Sequence, residues 1–168
     1  LKQDLRIKTG KTDRARSKNQ PKIVRIVIDM KRLLLVDDND RYAKILDEYF
    51  QGLGYTSERA YDGKEGYRLF QERGKDYYAV IVTDITMETQ MAGIHMLKRM
   101  HKDGYRGTVV VASTGFDFPG ATTLTRILFS GIGIDYLIPK TSVLRKDPIF
   151  LGMKLFDRGP QKFIEKVH

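Results

Sequence analysis

From residue 32 onward the chain alternates between two hydrophobic periods. Residues 33–36 are a short unbroken apolar run that ends on Asp37, the pattern of a strand buried on both faces. Residues 41–53 place Tyr42, Ile45, Leu46, Tyr49, Phe50 and Leu53 at helical spacing, and Gly54 closes that helix. Residues 55–61 read as a weaker, edge-like strand. Asp62-Gly63 turns the chain into a second helix with Tyr67, Leu69 and Phe70 inward and Gly74 at its end. Residues 78–83 form the next buried strand, followed at once by Asp84. A third helix over 92–102 rests on Ile94, Leu97 and Met100, and residues 108–112 are a strand of valines. Pro119 suits the first turn of a fourth helix facing inward with Leu124, Ile127 and Leu128. Residues 134–139 make a fifth strand. Asp147-Pro148 predicts the N-cap and first turn of a last helix to about Asp157, which Gly159-Pro160 breaks.

Strands alternating with helices imply right-handed crossovers and a doubly wound α/β sheet of parallel strands, covered on both faces. The working edge of such a sheet lies at the carboxyl ends of its strands. Each polar residue that interrupts an apolar strand here does so at that end: Asp37 and Asp38, Asp84, Ser113 and Thr114, and Lys140. Residues far apart in sequence therefore converge. Three carboxylates at one edge make an oxygen-rich, negative pocket for which a hard divalent cation is the natural counterweight, and magnesium fits best. Lys140 adds a mobile positive charge and Ser113 or Thr114 a hydroxyl donor. The set suits phosphoryl transfer, in which one carboxylate attacks and the cations and donors grip the phosphoryl oxygens. Taken singly, each part has a plainer use: Asp38 or Asp40 as a cap for the first helix, Lys140 as a solvated lysine. The joint placement carries the reading. His95, His101 and His168 lack metal-ligand spacing.

Charge changes the picture at one end only. Residues 1–32 hold eleven Lys or Arg against Asp4, Asp13 and Asp29, a net of +8 out of the chain's +9, whereas the other 136 residues carry a net of only +1. The first 29 residues are expected to be a basic arm or linker, either from a longer protein or from upstream of a start at Met30, with 23–28 as a candidate extra strand. The arm lacks aromatic interleaving, so weak nucleic-acid contact through it is the most that is expected, and none through the domain. A folded domain over 30–158 and a tail over 159–168 complete the expected organisation. The chain has no cysteine, which excludes a disulfide framework and thiolate metal sites. No apolar run is long enough to cross a bilayer. A cytoplasmic protein without membrane contact is expected.

The stretch from residue 31 to about 144 resembles the receiver domain of two-component response regulators, close to the single-domain chemotaxis type. The carriers are "RLLLVDDND", "DGKEGYRLF", "AVIVTDITM", "GIHMLKRM", "VVVASTG" and "GIDYLIPK". The resemblance implies a flavodoxin-like, five-stranded parallel sheet of order 2-1-3-4-5 with helices on both faces. It implies that Asp84 accepts a phosphoryl group from a kinase phosphohistidine. Asp37, Asp38, Asp84 and the backbone carbonyl of Thr86 would hold magnesium, and Lys140 would bind a phosphoryl oxygen. The switch hydroxyl is Ser113, judged by the four apolar residues before it, or Thr114, judged by the glycine after it; Ser113 is favoured. Family spacing back from Lys140 puts Leu137 at the switch-aromatic position and leaves Tyr136, one residue away, as the candidate aromatic. Thr141, not proline, follows Lys140, so a trans or reshaped loop is expected there. The implied partners are a sensor histidine kinase or phosphotransfer protein and a downstream protein target. Such a domain is not an enzyme beyond promoting its own phosphorylation and dephosphorylation. Two alternatives remain: a phosphorylation-independent pseudo-receiver acting as an interaction module, and a magnesium-dependent aspartyl-phosphate phosphohydrolase. The latter expects a second Asp two residues after the nucleophile, where this chain has Thr86.

Overall fold

A computed structural model of the chain describes residues 30–85, 87, 91–114, 131–153 and 159–166. The arm 1–29 with its candidate strand, Thr86, the fourth helix carrying Leu124, Ile127 and Leu128, and residues 154–158 lie outside the described residues.

Among the described residues the elements follow the hydrophobic pattern from residue 31 as far as the fifth strand. They run β1 (Lys31–Val36), α1 (Asp40–Gly52), β2 (Tyr55–Ala60), α2 (Gly63–Arg73), β3 (Val80–Asp84), α3 (Ala92–Lys102), β4 (Thr108–Ser113) and β5 (Tyr136–Pro139). These five strands are parallel, in the order 2-1-3-4-5. Side chains alternate across the sheet and build two apolar layers. Leu33, Leu35, Val80, Val82, Val110 and Ile138 meet Ala43, Leu46 and Phe50 of α1 on one face. Leu34, Val36, Ile81, Val109 and Val111 meet Leu69, Phe70, Ile94, Leu97 and Met100 of α2 and α3 on the other. Leu53, expected inward, is half exposed because α1 ends one residue before it. Gly54 carries the chain out of the helix at φ +87°, a conformation that favours glycine.

Beyond β5 the architecture departs from expectation. Lys140–Leu144 is a short helix, α4, that starts directly from the strand. The predicted last helix from Asp147 is replaced by extended chain: β6 (Phe150–Gly152) pairs antiparallel with β5, and β7 (Pro160–Gln161) pairs antiparallel with β6. Among the described residues the sheet thus has seven strands, five parallel and two added at the β5 edge. The physical reason is local. Residues 150–152 put Phe150 into the α1 layer and Leu151 against the α2/α3 layer, a two-residue period, and Gly152 disfavours helix. Residues 162–166 then lie on the α1 face across the first residues of the strands. The Phe163 ring packs 5.2 Å from Phe50 and 5.3 Å from Phe150. The Tyr136 hydroxyl donates to the Ile164 carbonyl at 3.1 Å, and the Lys166 amide donates to Thr108 Oγ1 at 2.7 Å. Glu165 pairs with Lys31 and accepts from the Tyr55 hydroxyl. Among the described residues no helix is long and apolar enough to cross a membrane.

Candidate functional site

The carboxyl edge gathers the acids as the strand-end rule requires. Asp37 follows β1 and its amide donates to the Ala60 carbonyl at 3.2 Å. The cap of α1 is Asn39, whose side chain accepts from the amides of Arg41 and Tyr42. Neither Asp38 nor Asp40 caps the helix, which corrects that expectation: Asn39 is the residue that keeps extended backbone beside the helical start. Asp84 closes β3. Its carbonyl accepts from Thr83 Oγ1, and Gly93 of α3 packs so close that a Cβ there would stand 1.9 Å from that carbonyl oxygen. A glycine is what lets α3 approach the acid-bearing strand end.

Asp37, Asp38 and Asp84 each offer a carboxylate oxygen within 4.8 Å of the others, with Asp37 and Asp84 buried and Asp38 exposed. They are the one such acidic, metal-capable group among the described residues. Lys140, first residue of α4, enters this pocket. Its Nζ donates to Asp84 Oδ2 at 2.8 Å and stands 3.0 Å from Asp37 Oδ2. The second contact is an ion pair without hydrogen-bond alignment, so Asp37 Oδ2 stays a buried oxygen with no hydrogen-bond donor. Burial pushes the Asp37 carboxyl up, more than Lys140 and the Asn39 amide pull it down. Burial acts to depress the Lys140 ammonium, but the hydrogen bond to Asp84 and the two negative charges outweigh it, and its pKa is raised. A buried carboxylate oxygen whose partner is the Lys140 ammonium, beside two further carboxylates, is a donor set that fits a hard divalent cation.

Sequence reasoning missed two contributors. Arg59 on β2 donates from Nη2 to the Asp37 carbonyl at 3.0 Å and pairs through Nη1 with Asp40 Oδ1 at 2.7 Å, so it clamps both ends of the acidic turn. Tyr42 lays its ring 4.3 Å from Lys140 Nζ. Their signal lay in place, not type: the first turn of α1 and the end of β2 both border the acid edge.

Ser113, the last residue of β4, is buried, whereas Thr114 is exposed. Ser113 lies one residue beyond Ala112, the partner of Asp84. Tyr136 falls on the α1 face, edge-on to Phe150 at 5.7 Å and tied to Ile164, while Leu137 is fully buried in the opposite layer. Ser113 alternates in step with Val109 and Val111 of that Leu137 layer, so the Tyr136 ring lies across the sheet from it. No cis peptide occurs among the described residues, including the Lys140–Thr141 bond.

The response regulator receiver domain family matches the chain over residues 33–142. Among solved structures, the receiver domain of the Francisella response regulator 1452 is 25% identical, with a TM-score of 0.53, over 69% of this chain and 93% of that one. Chemotaxis protein CheY4 of Vibrio cholerae is 23% identical, with a TM-score of 0.52, over 70% and 94%. The CheX–CheY–BeF3–Mg2+ complex from Borrelia burgdorferi matches at 20% identity and a TM-score of 0.53, over 69% and 85%. No curated protein matches the chain.

Proposed function

This chain belongs to the response regulator receiver domain family, and from that premise we propose that it accepts a phosphoryl group on Asp84 from a histidine kinase or phosphotransfer protein. The observation that carries the proposal is the Lys140 ammonium lodged between Asp84 and Asp37 at the carboxyl edge. A nucleophilic carboxylate, a cation ready to follow the phosphoryl oxygens and adjacent acids are the parts that phosphoryl transfer needs.

Asp84 attacks phosphorus with a carboxylate oxygen. The new O–P bond forms as the P–N bond of the donor breaks, and its electron pair returns to the imidazole nitrogen. Lys140 leaves its ion pair for a phosphoryl oxygen, and the buried Ser113 hydroxyl donates to another. Asp37, Asp38 and Asp84, with the carbonyl of Thr86, would hold magnesium, which supplies positive charge against the transferring oxygens. The Borrelia complex bears Mg2+ and BeF3 in its own printed name, which supports the same ligands here. The partner on the output side is a protein. Because Tyr136 is held by the tail, the response is expected to centre on Ser113 and Lys140 rather than on an aromatic swing. Domain limits of 30–158 with a tail remain part of this proposal, as does a cytoplasmic location.

The pseudo-receiver reading draws on one observation: Lys140 already pairs with Asp37 and Asp84 without phosphate. One experiment separates the readings. Incubation with acetyl phosphate and magnesium, followed by intact-mass analysis, should give a single stoichiometric phosphoryl adduct that Asp84→Asn lacks. The same adduct on Asp84→Asn would overturn the acceptor. No adduct on the native chain favours the pseudo-receiver, and steady turnover of the donor favours a phosphohydrolase.

A further inference from the structure

Resting on the reading of Asp37, Asp38 and Asp84 as a cation site, but not on phosphorylation of Asp84, we propose that Tyr42 is a positioning residue for Lys140. The face of its ring seats the ammonium on Asp37 and Asp84 and so sets how readily a divalent cation displaces it.

Among the described residues, Lys140 Nζ contacts three groups: Asp84 Oδ2 at 2.8 Å, Asp37 Oδ2 at 3.0 Å and the Tyr42 ring at 4.3 Å from its centroid. A lysine stem is long and flexible, and its ammonium has three donors in any rotamer. Two carboxylates alone leave one side of it open. The ring face closes that side with the negative lobe of its quadrupole, and such contacts strengthen as water is removed. Lys140 is almost fully buried. Tyr42 is itself held by the turn that bears the acids, since its amide donates to the Asn39 side chain that caps α1. The nearby charges do not compete for the ring: Arg59 is paired with Asp40 and covers Tyr61 instead.

A divalent cation on Asp37 and Asp84 would place two positive charges beside the ammonium, which must then leave both oxygens. The ring therefore favours the lysine-seated state over the cation-bound state. A contact made in only one of two states shifts the equilibrium between them. Removing the ring face strengthens cation binding; removing only the phenolic hydroxyl does not.

The test uses the full chain with isotope-labelled lysine, the Lys140 ε-methylene signal being assigned by its loss in Lys140→Arg. In chelator, that signal should lie upfield of the other lysines through the ring current of Tyr42. It should stay there in Tyr42→Phe and rejoin the others in Tyr42→Leu. Titration with magnesium alone should show Tyr42→Leu binding about threefold or more tighter than the native chain, with Tyr42→Phe unchanged. A Lys140 signal that is not shifted in the native protein overturns the proposal without any variant. So does equal magnesium affinity in folded Tyr42→Leu and Tyr42→Phe. If no protein of the series binds magnesium, the cation-site reading fails by itself, while the metal-free shift still decides whether Tyr42 seats Lys140.

Discussion

Replacing Lys140 by methionine keeps the bulk of the stem and deletes the charge between two buried carboxylates. Asp37 and Asp84, with oxygens within 4.8 Å, then face each other uncompensated. At an effective dielectric of about 20, like charges roughly 5 Å apart repel by about 3 kcal/mol. Removing one partner from a buried ion pair costs about 3–5 kcal/mol, the same range. Two exits limit the loss. Protonating an aspartate of ordinary pKa 3.8 takes about 4 kcal/mol near pH 7 but only about 1.6 kcal/mol near pH 5. The deficit should therefore be about 3 kcal/mol near neutrality and about half that near pH 5. The second exit is a cation, which stabilises the folded state by RT ln(1 + [L]/Kd). Magnesium should thus restore the variant more than it stabilises the native chain. Urea unfolding of both proteins, with chelator or magnesium at each pH, reads these differences. Native-like stability of Lys140→Met in chelator near neutrality would refute the charge argument. A deficit that neither acid nor magnesium reduces would assign the loss to packing instead.

Gly93→Ala sets a Cβ 1.9 Å from the Asp84 carbonyl oxygen and 2.9 Å from Thr83 Oγ1. Forced overpacking costs about 1–3 kcal/mol, so the urea midpoint should fall and magnesium affinity with it; an unchanged midpoint would mean that α3 is not held against β3. Phe163→Ala removes a ring that packs on Phe50, Phe150 and Tyr136. Because Phe163 is only half-buried, a loss of about 2 kcal/mol is expected in thermal melts, below that of a fully buried phenylalanine; no loss would show that the tail merely rests on the fold. The Glu58 carboxyl is held below its ordinary value chiefly by the Arg73 guanidinium, with the Tyr78 hydroxyl adding and burial opposing. A depressed carboxyl stabilises the fold above its unfolded pKa of about 4.5 and loses that contribution as pH falls through the folded value. The stability gap between the native chain and Glu58→Gln should therefore shrink on acidification below about pH 4.5, and a gap that widens would reverse the assignment.

The sequence by itself determined the parallel core and the edge where the chemistry gathers. The unbroken run of residues 33–36, the helical spacing of Leu46 and Phe50, and the valines of β4 are local patterns, and local periodicity reports local structure. Strand-end polarity alone places Asp37, Asp84, Ser113 and Lys140 at one edge, because parallel strands share one carboxyl edge. Tertiary structure decided the rest. Residues 150–152 are helix or strand according to what lies beside them, and the free edge of β5 together with the space over Phe50 favours a strand. Which face Tyr136 and Leu137 each take is settled only by pairing with Val110 and Val111. Asp37 and Asp38 are adjacent and chemically alike, yet one is buried against Lys140 and the other exposed. Tyr42 and Arg59 joined the site only through the docking of α1 and β2 on β1. Each of these outcomes depends on which surfaces meet across the sheet, and such contacts between residues distant in sequence leave no period along the chain.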